Sequence, residues 1–257
     1  GKADTDSTMA WEGDVVVAEN ADSDIAEHKR DVLQNVSFSI KKRDFVAVTG
    51  TSGCGKSTML KLLMGIYRPQ TGTISVILND DTSIAIENMN RLFAYVPQGN
   101  FLMGGSVRDV ITFGKSKVDG TADCPNTDSV DRNHADRNDR DPDEKLKRAV
   151  HFACADFVYD LPMQLDTILG EKGAGLSEGQ MQRIAIARAL YADRPVLILD
   201  ESTSALDQQT ERKLLDNLKQ LTDKTVLFVS HRLPALEICS KRLHFEEGIT
   251  LDHSFRP

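Results

Sequence analysis

The chain has 257 residues, enough for one large domain, or one domain with a lobe, and short for two. With 40% hydrophobic and 27% charged residues it has an ordinary globular composition, and no apolar run approaches the roughly 18 residues of a membrane helix. The net charge of −8 is unevenly spread: residues 1–31 carry −6, residues 115–143 carry −3, and the rest is close to neutral, so no concentrated basic face is offered to nucleic acid.

The head, up to Asp31, has one short apolar run (Val15 to Val17) and reads as a poorly ordered acidic stretch or the start of a β subdomain. It opens on GKADTDSTMA, with no signal-peptide pattern and no initiator Met, which points to a piece of something longer. A domain over 32–257 follows. Alternation from Val36 to Ile40 predicts a half-buried strand, and Asp44–Gly50 a buried one. A helix is expected from Lys56 to about Gly65, then strands at Thr73–Leu78 and Leu92–Val96.

Residues 115–143, rich in Asp, Asn, Arg and Ser, read as a disordered insert within a helical lobe over about 99–190. Helices are predicted at Glu144–Phe157 and Glu178–Tyr191, an aliphatic strand at Val196–Leu199, a helix at Thr210–Leu221 and a strand at Thr225–Val229. Strands apolar throughout and alternating with helices indicate an α/β fold around a mostly parallel sheet covered on both faces. Cys54, Cys124, Cys154 and Cys239 form no CxxC pair and have no His at metal spacing, so a reduced, intracellular protein without a zinc site is expected.

Gly50, Thr51, Ser52, Gly53, Cys54, Gly55, Lys56, Ser57 and Thr58 spell GxxxxGK(S/T) between a predicted strand and a predicted helix. Such a loop wraps polyphosphate with backbone N–H groups, so its side chains must be small. The helix N-terminus adds its dipole, Lys56 reaches the outer phosphates, and the Ser57 hydroxyl can bind Mg²⁺. Cys54 fits as a small residue, although a helix N-terminus lowers a thiol's pKa.

Val196–Leu199 runs into Asp200 and Glu201. A carboxylate at a strand's C-terminal end is placed to hold Mg²⁺ or its water, and the next one to orient or deprotonate an attacking water. Taken alone, a capped strand end with a solvated acid pair is an equal reading. With the loop upstream, the pair indicates a P-loop NTPase.

Leu176-Ser177-Glu178-Gly179-Gln180, followed by Met181-Gln182-Arg183-Ile184-Ala185-Ile186-Ala187-Arg188-Ala189-Leu190, resembles the signature sequence of ATP-binding-cassette (ABC) ATPases. Ser177 and Gln180 also spell a capping box, and a capped helix start is an anion site. The resemblance runs from about Val32 to Gly248. It implies a P-loop core with a mostly parallel sheet, an N-terminal antiparallel β subdomain and an α-helical subdomain carrying the signature.

By the same resemblance, Gln98 looks like the glutamine that touches Mg²⁺ or water, Asp207 closes a loop that crosses the dimer seam, and His231 looks like the switch histidine near the γ-phosphate. Ser177, Gly179 and Gln180 would address ATP bound to the opposite cassette. The implied partners are a second cassette, identical or different, and transmembrane domains in the same parent chain or a partner. The implied place is the cytoplasmic face of a membrane, and the implied ligands are ATP and Mg²⁺.

Gly105–Ile111 and Gly170–Gly173 resemble stretches of the exporter branch, which favours export. The alternatives are a soluble ABC ATPase of DNA repair or translation, or a regulatory cassette with weak hydrolysis. The short unpatterned insert, the single cassette, and intact Glu201 and His231 weigh against them.

There are departures from the family's pattern. Glu178 stands where Gly is usual. The family stacks an aromatic on adenine roughly thirty residues before the loop lysine. Here Ala21–His28 holds none, leaving His28 or Ile25, or Trp11 if the head folds back. The chain also stops soon after Leu251, short of the family's C-terminal helices.

Overall fold

The structure is a computed structural model and describes residues 8–12, 33, 36–77, 83–84, 90–99, 104–113, 141–170, 175–245 and 249–252. In chain order these form β1 (Thr8–Glu12), β2 (Phe38–Lys41), β3 (Phe45–Gly50), α1 (Lys56–Leu63), β4 (Thr73–Ile77), β5 (Ser83–Ile84) and β6 (Phe93–Val96). Next come β7 (Gly105–Ser106), α2 (Val107–Thr112), α3 (Pro142–Phe152), two short 3-10 turns, β8 (Ile168–Leu169) and α4 (Glu178–Tyr191). Then follow β9 (Val196–Asp200), α5 (Gln208–Leu218), β10 (Thr225–Val229), α6 (Leu233–Glu237), β11 (Lys241–Phe245) and β12 (Ile249–Asp252). The chain divides into two compact units: Gly1–Tyr95, Arg194–Glu201 and Lys219–Pro257 form the first, and Val96–Asp193 and Ser202–Leu218 the second.

The first unit holds two sheets. A six-stranded sheet has the order β12-β11-β3-β10-β9-β6. Within it β11, β3, β10 and β9 pair in parallel, and β12 adds antiparallel to β11. Every residue of β9 and β10 is buried, as expected of strands covered on both faces. The aliphatic face of α1 (Met59, Leu60, Leu62, Leu63) joins Val46, Val48, Ile198, Leu227 and Leu243 in one core. Each such side chain stabilises the fold by about 1.5–3 kcal/mol.

The second sheet is antiparallel, in the order β2-β1-β4-β5. It contains β1, drawn from the acidic head. TMAWE gives no clear alternation, and its partners lie far along the chain, so only long-range pairing reveals the strand. Trp11 stands opposite Phe38 and Ile74 in the register, so this part of the head does fold back on the sheet. Val15 to Val17 and the adenine-facing candidates at 21–28 lie outside the described residues.

The second unit is mainly helical. α4 begins on a capping box: Gln180 N–H donates to Ser177 Oγ (3.2 Å), and Ser177 N–H to Gln180 Oε1 (2.9 Å). Ser106 and Asp109 make the same device at α2, inside the stretch that resembles exporters.

α3 differs from expectation at both ends. It starts earlier because Asp141 accepts from Asp143 N–H, with Pro142 at the first helical position, so 141–143 are a helix start and not the tail of an insert. It ends at Phe152 because Cys154 takes φ 52 and gives its carbonyl to Arg183 (2.8 Å). Residues 114–140, the rest of the expected insert, and 171–174 lie outside the described residues.

Candidate functional site

Three neighbouring parallel strands of the first unit leave the sheet on the same side. β3 runs into Thr51–Gly55, β10 into Ser230 and His231, and β9 closes on Asp200 with Glu201 next. Carboxyl ends of parallel strands are where open α/β sheets bind ligands.

Gly50 ends β3 with φ 143, hard against β11. A Cβ there would lie 2.5 Å from the Phe245 carbonyl oxygen and 2.9 Å from Cys54 Sγ, so a side chain would push the loop off the sheet. Gly55 is the N-cap of α1. Lys56 folds back into the loop: Nζ donates to the carbonyls of Gly50 (2.6 Å) and Thr51 (2.8 Å) and lies 3.7 Å from Cys54 Sγ. Among the described residues its hydrogen-bond acceptors are neutral, and an ammonium so held prefers an anionic partner. Thr51, Ser52, Gly53 and Ser57 are exposed, while Cys54, Lys56 and Thr58 are half-buried and Gly55 is buried.

Asp200 is 6% exposed and accepts from the Tyr95 hydroxyl at Oδ2 (2.9 Å). Burial pushes its carboxyl above the ordinary range; the Tyr95 bond and the charge of Lys56 pull the other way, and Glu201 adds to the rise. Glu201 takes φ 48, unusual for a residue with a side chain, and donates its N–H to the Val229 carbonyl (2.8 Å). That left-handed backbone costs on the order of 1 kcal/mol and persists because the bond to β10 enforces it. His231 is exposed, and Arg232 N–H donates to Ser230 Oγ (3.1 Å) beside it.

The donor set suits a hard cation. The Ser57 hydroxyl and the Asp200 carboxylate offer oxygen donors, and among the described residues no group of three His, Cys, Asp or Glu forms a protein-only metal cage. Mg²⁺ is usually held by one or two carboxylates together with substrate phosphates, which these two residues fit.

The other expected site residues belong to the second unit. Ser177 is exposed, and Gly179 and Gln180 are half-buried in the first turn of α4, with Glu178 exposed beside them. A Cβ on Gly179 would lie 2.8 Å from the Ala205 carbonyl oxygen, so the helix start and the Ser204–Asp207 loop touch through the glycine's bare backbone. Gln182, 3% exposed, ties the same loop: Nε2 donates to Ser204 Oγ (3.2 Å), and Ala205 N–H donates to Oε1 (3.1 Å). Asp207 accepts from Gln209 and Thr210 N–H groups at the start of α5, and bonds from Thr210 hold its carboxyl below the usual range. Gln98 is exposed in a bend after β6.

Two contributors are not evident from residue type. Tyr95, at a strand's end, looks like a core aromatic, and Gln182 like a helix surface residue. The only sequence signal for Gln182 is a polar side chain on the packed face of α4.

The family described as "ABC transporter" matches residues 33–204. The Lactococcin-G-processing and transport ATP-binding protein LagD of Lactococcus lactis subsp. lactis is 37% identical over 225 residues, covering 86% of this chain and 28% of LagD. The ATP-dependent lipid A-core flippase of Vibrio cholerae serotype O1 is 37% identical over 221 residues, covering 86% of this chain and 34% of the flippase. The chain thus spans about a third of the length of these curated relatives. A bacterial Atm1-family ABC exporter solved with ATP bound superposes with a TM-score of 0.72 at 28% identity, over 96% of this chain and 39% of that one. The match to the family over most of the chain, on a P-loop core and a capped signature helix, means that the chain belongs to the ABC transporter family, as an ATP-binding cassette.

Proposed function

We propose that this cassette binds and hydrolyses ATP in a pair, each nucleotide lying between the phosphate loop of one copy and the signature turn of another, and that the closing and opening of the pair drive the transmembrane part of an exporter at the cytoplasmic face of a membrane. The observation that carries the proposal is the delivery of Lys56, Asp200, Glu201 and His231 from three adjacent parallel strands to the same side of the sheet. Among the described residues no helix is long and apolar enough to cross a membrane, so the transport path is assigned to other segments or chains.

In this reading the loop from Gly50 to Thr58 cradles the phosphates with backbone N–H groups, and Lys56 exchanges its two carbonyl partners for phosphate oxygens. Ser57 and Asp200 would hold Mg²⁺, which would supply charge neutralisation on the phosphates. Glu201 accepts the proton of the attacking water while His231 orients it towards the γ-phosphate. At the tip of α4 the Gly179 N–H, the Ser177 hydroxyl and the helix dipole face the phosphate held by the other copy, Gln180 holds the turn through its two bonds to Ser177, and Asp207 lies at the seam.

Glu201→Gln tests the assignment. It is expected to bind ATP as the wild type does, to lose turnover by roughly a hundredfold or more, and to accumulate an ATP-bound dimer on size exclusion. Wild-type turnover in this variant refutes the role of Glu201.

A further inference from the structure

Tyr95 has no part in the chemistry assigned above, yet its ring and its hydroxyl are both held. The ring packs against the main core of the first unit, from β6, which neighbours β9 in the sheet. The hydroxyl donates to Oδ2 of Asp200 at 2.9 Å. A carboxylate on a short side chain can turn about its last bond unless one oxygen is occupied, and here one is.

We propose that Tyr95 is a positioning residue for the metal–nucleotide site: its hydroxyl fixes the plane of the Asp200 carboxylate and leaves Oδ1 as the oxygen offered to a divalent cation. The proposal rests on the reading of Asp200 as a metal carboxylate. A purely structural tie between β6 and β9 would show in thermal stability. Positioning shows in the concentration of metal needed, because an unfixed carboxylate must be ordered each time the cation binds.

The test uses the 257-residue chain as wild type, Tyr95→Phe, Asp200→Asn and the double variant. Each is titrated with Mg²⁺ in the presence of a fluorescent, non-hydrolysable ATP analogue, with a parallel titration in EDTA. Tyr95→Phe is expected to bind the analogue without metal within twofold of wild type. It should need about tenfold more Mg²⁺ to reach half of the metal-dependent gain, the scale of a lost hydrogen bond to a charged group. On the Asp200→Asn background the same change should add nothing.

If Asp200→Asn shifts the Mg²⁺ requirement and Tyr95→Phe does not, the tie is structural and the proposal is overturned. If Asp200→Asn shifts nothing, the metal reading of Asp200 fails and this proposal fails with it. Should Tyr95→Phe not fold, tyrosine ring-carbon NMR of the wild type reports the same bond. One of the four tyrosine signals should move when Mg²⁺ joins the nucleotide, and should stay still in Asp200→Asn; no movement in the wild type overturns the proposal.

Discussion

Gly179→Ala adds one methyl group to the first turn of α4. The new Cβ would lie 2.8 Å from the Ala205 carbonyl oxygen, where ordinary contact begins at 3.4 Å, so about 0.6 Å must be opened. The obstacle is backbone, and Gln182 holds that backbone through Ser204 Oγ and Ala205 N–H, so the loop cannot retreat without breaking those bonds. Overpacking of this kind costs about 1–3 kcal/mol. Replacing Gly by Ala in a helix returns up to about 1 kcal/mol. The difference lowers the melting temperature by only a few degrees in a domain of this size.

Function should suffer more, since misplacing a site by about 1 Å can cost roughly a hundredfold in rate. Gly179→Ala is therefore expected to melt within a few degrees of wild type and to bind nucleotide within twofold. Its ATP turnover at equal protein concentration should fall by about ten- to a hundredfold. The assay is phosphate release alongside analogue binding and thermal melts. Turnover within twofold of wild type refutes the reasoning, because the helix start and its loop would then have no need of their close approach.

Lys56→Ala removes the ammonium that now bonds Gly50 and Thr51, and should weaken ATP binding at least tenfold, a charge-assisted contact being worth about 1.5–3 kcal/mol; unchanged affinity in a direct binding titration counts against the cradle. Asp200 predicts a pH-dependent stability. Burial raises its carboxyl above the ordinary 3.8, so the folded chain holds that proton more tightly than the unfolded chain, and its contribution to stability falls as pH climbs from 3.8 through the raised value. Asp200→Asn should therefore melt higher than wild type at pH 7 and lose that advantage towards pH 4, and a lower melting point at pH 7 contradicts the burial argument.

The parts of the fold that the sequence reveals are those whose causes are local. α4 runs from Glu178 to Tyr191, as expected, because Ser177 and Gln180 spell its start within one turn. β9 and β10 are legible because parallel strands buried on both faces must be aliphatic throughout. β1 is not, since its partners Phe38–Lys41 and Thr73–Val76 are distant in sequence.

The end of α3 is hidden for the same reason. Ala153–Phe157 still looks helical, but Arg183 captures the carbonyl of Cys154, and Asn217 Nδ2 donates to those of His151 and Phe152. Among the candidate site residues, Lys56, Asp200 and Glu201 announce themselves by motif. Tyr95 and Gln182 act through partners 105 and 22 residues away, which no local pattern encodes.

In the proposed pair one copy of the chain supplies the phosphate loop and another the signature turn. The most direct measurement is ATPase rate against protein concentration for the isolated chain. A shared site gives a rise steeper than linear, with activity per molecule increasing until pairing saturates. Activity per molecule that stays constant down to concentrations where the chain is monomeric contradicts it.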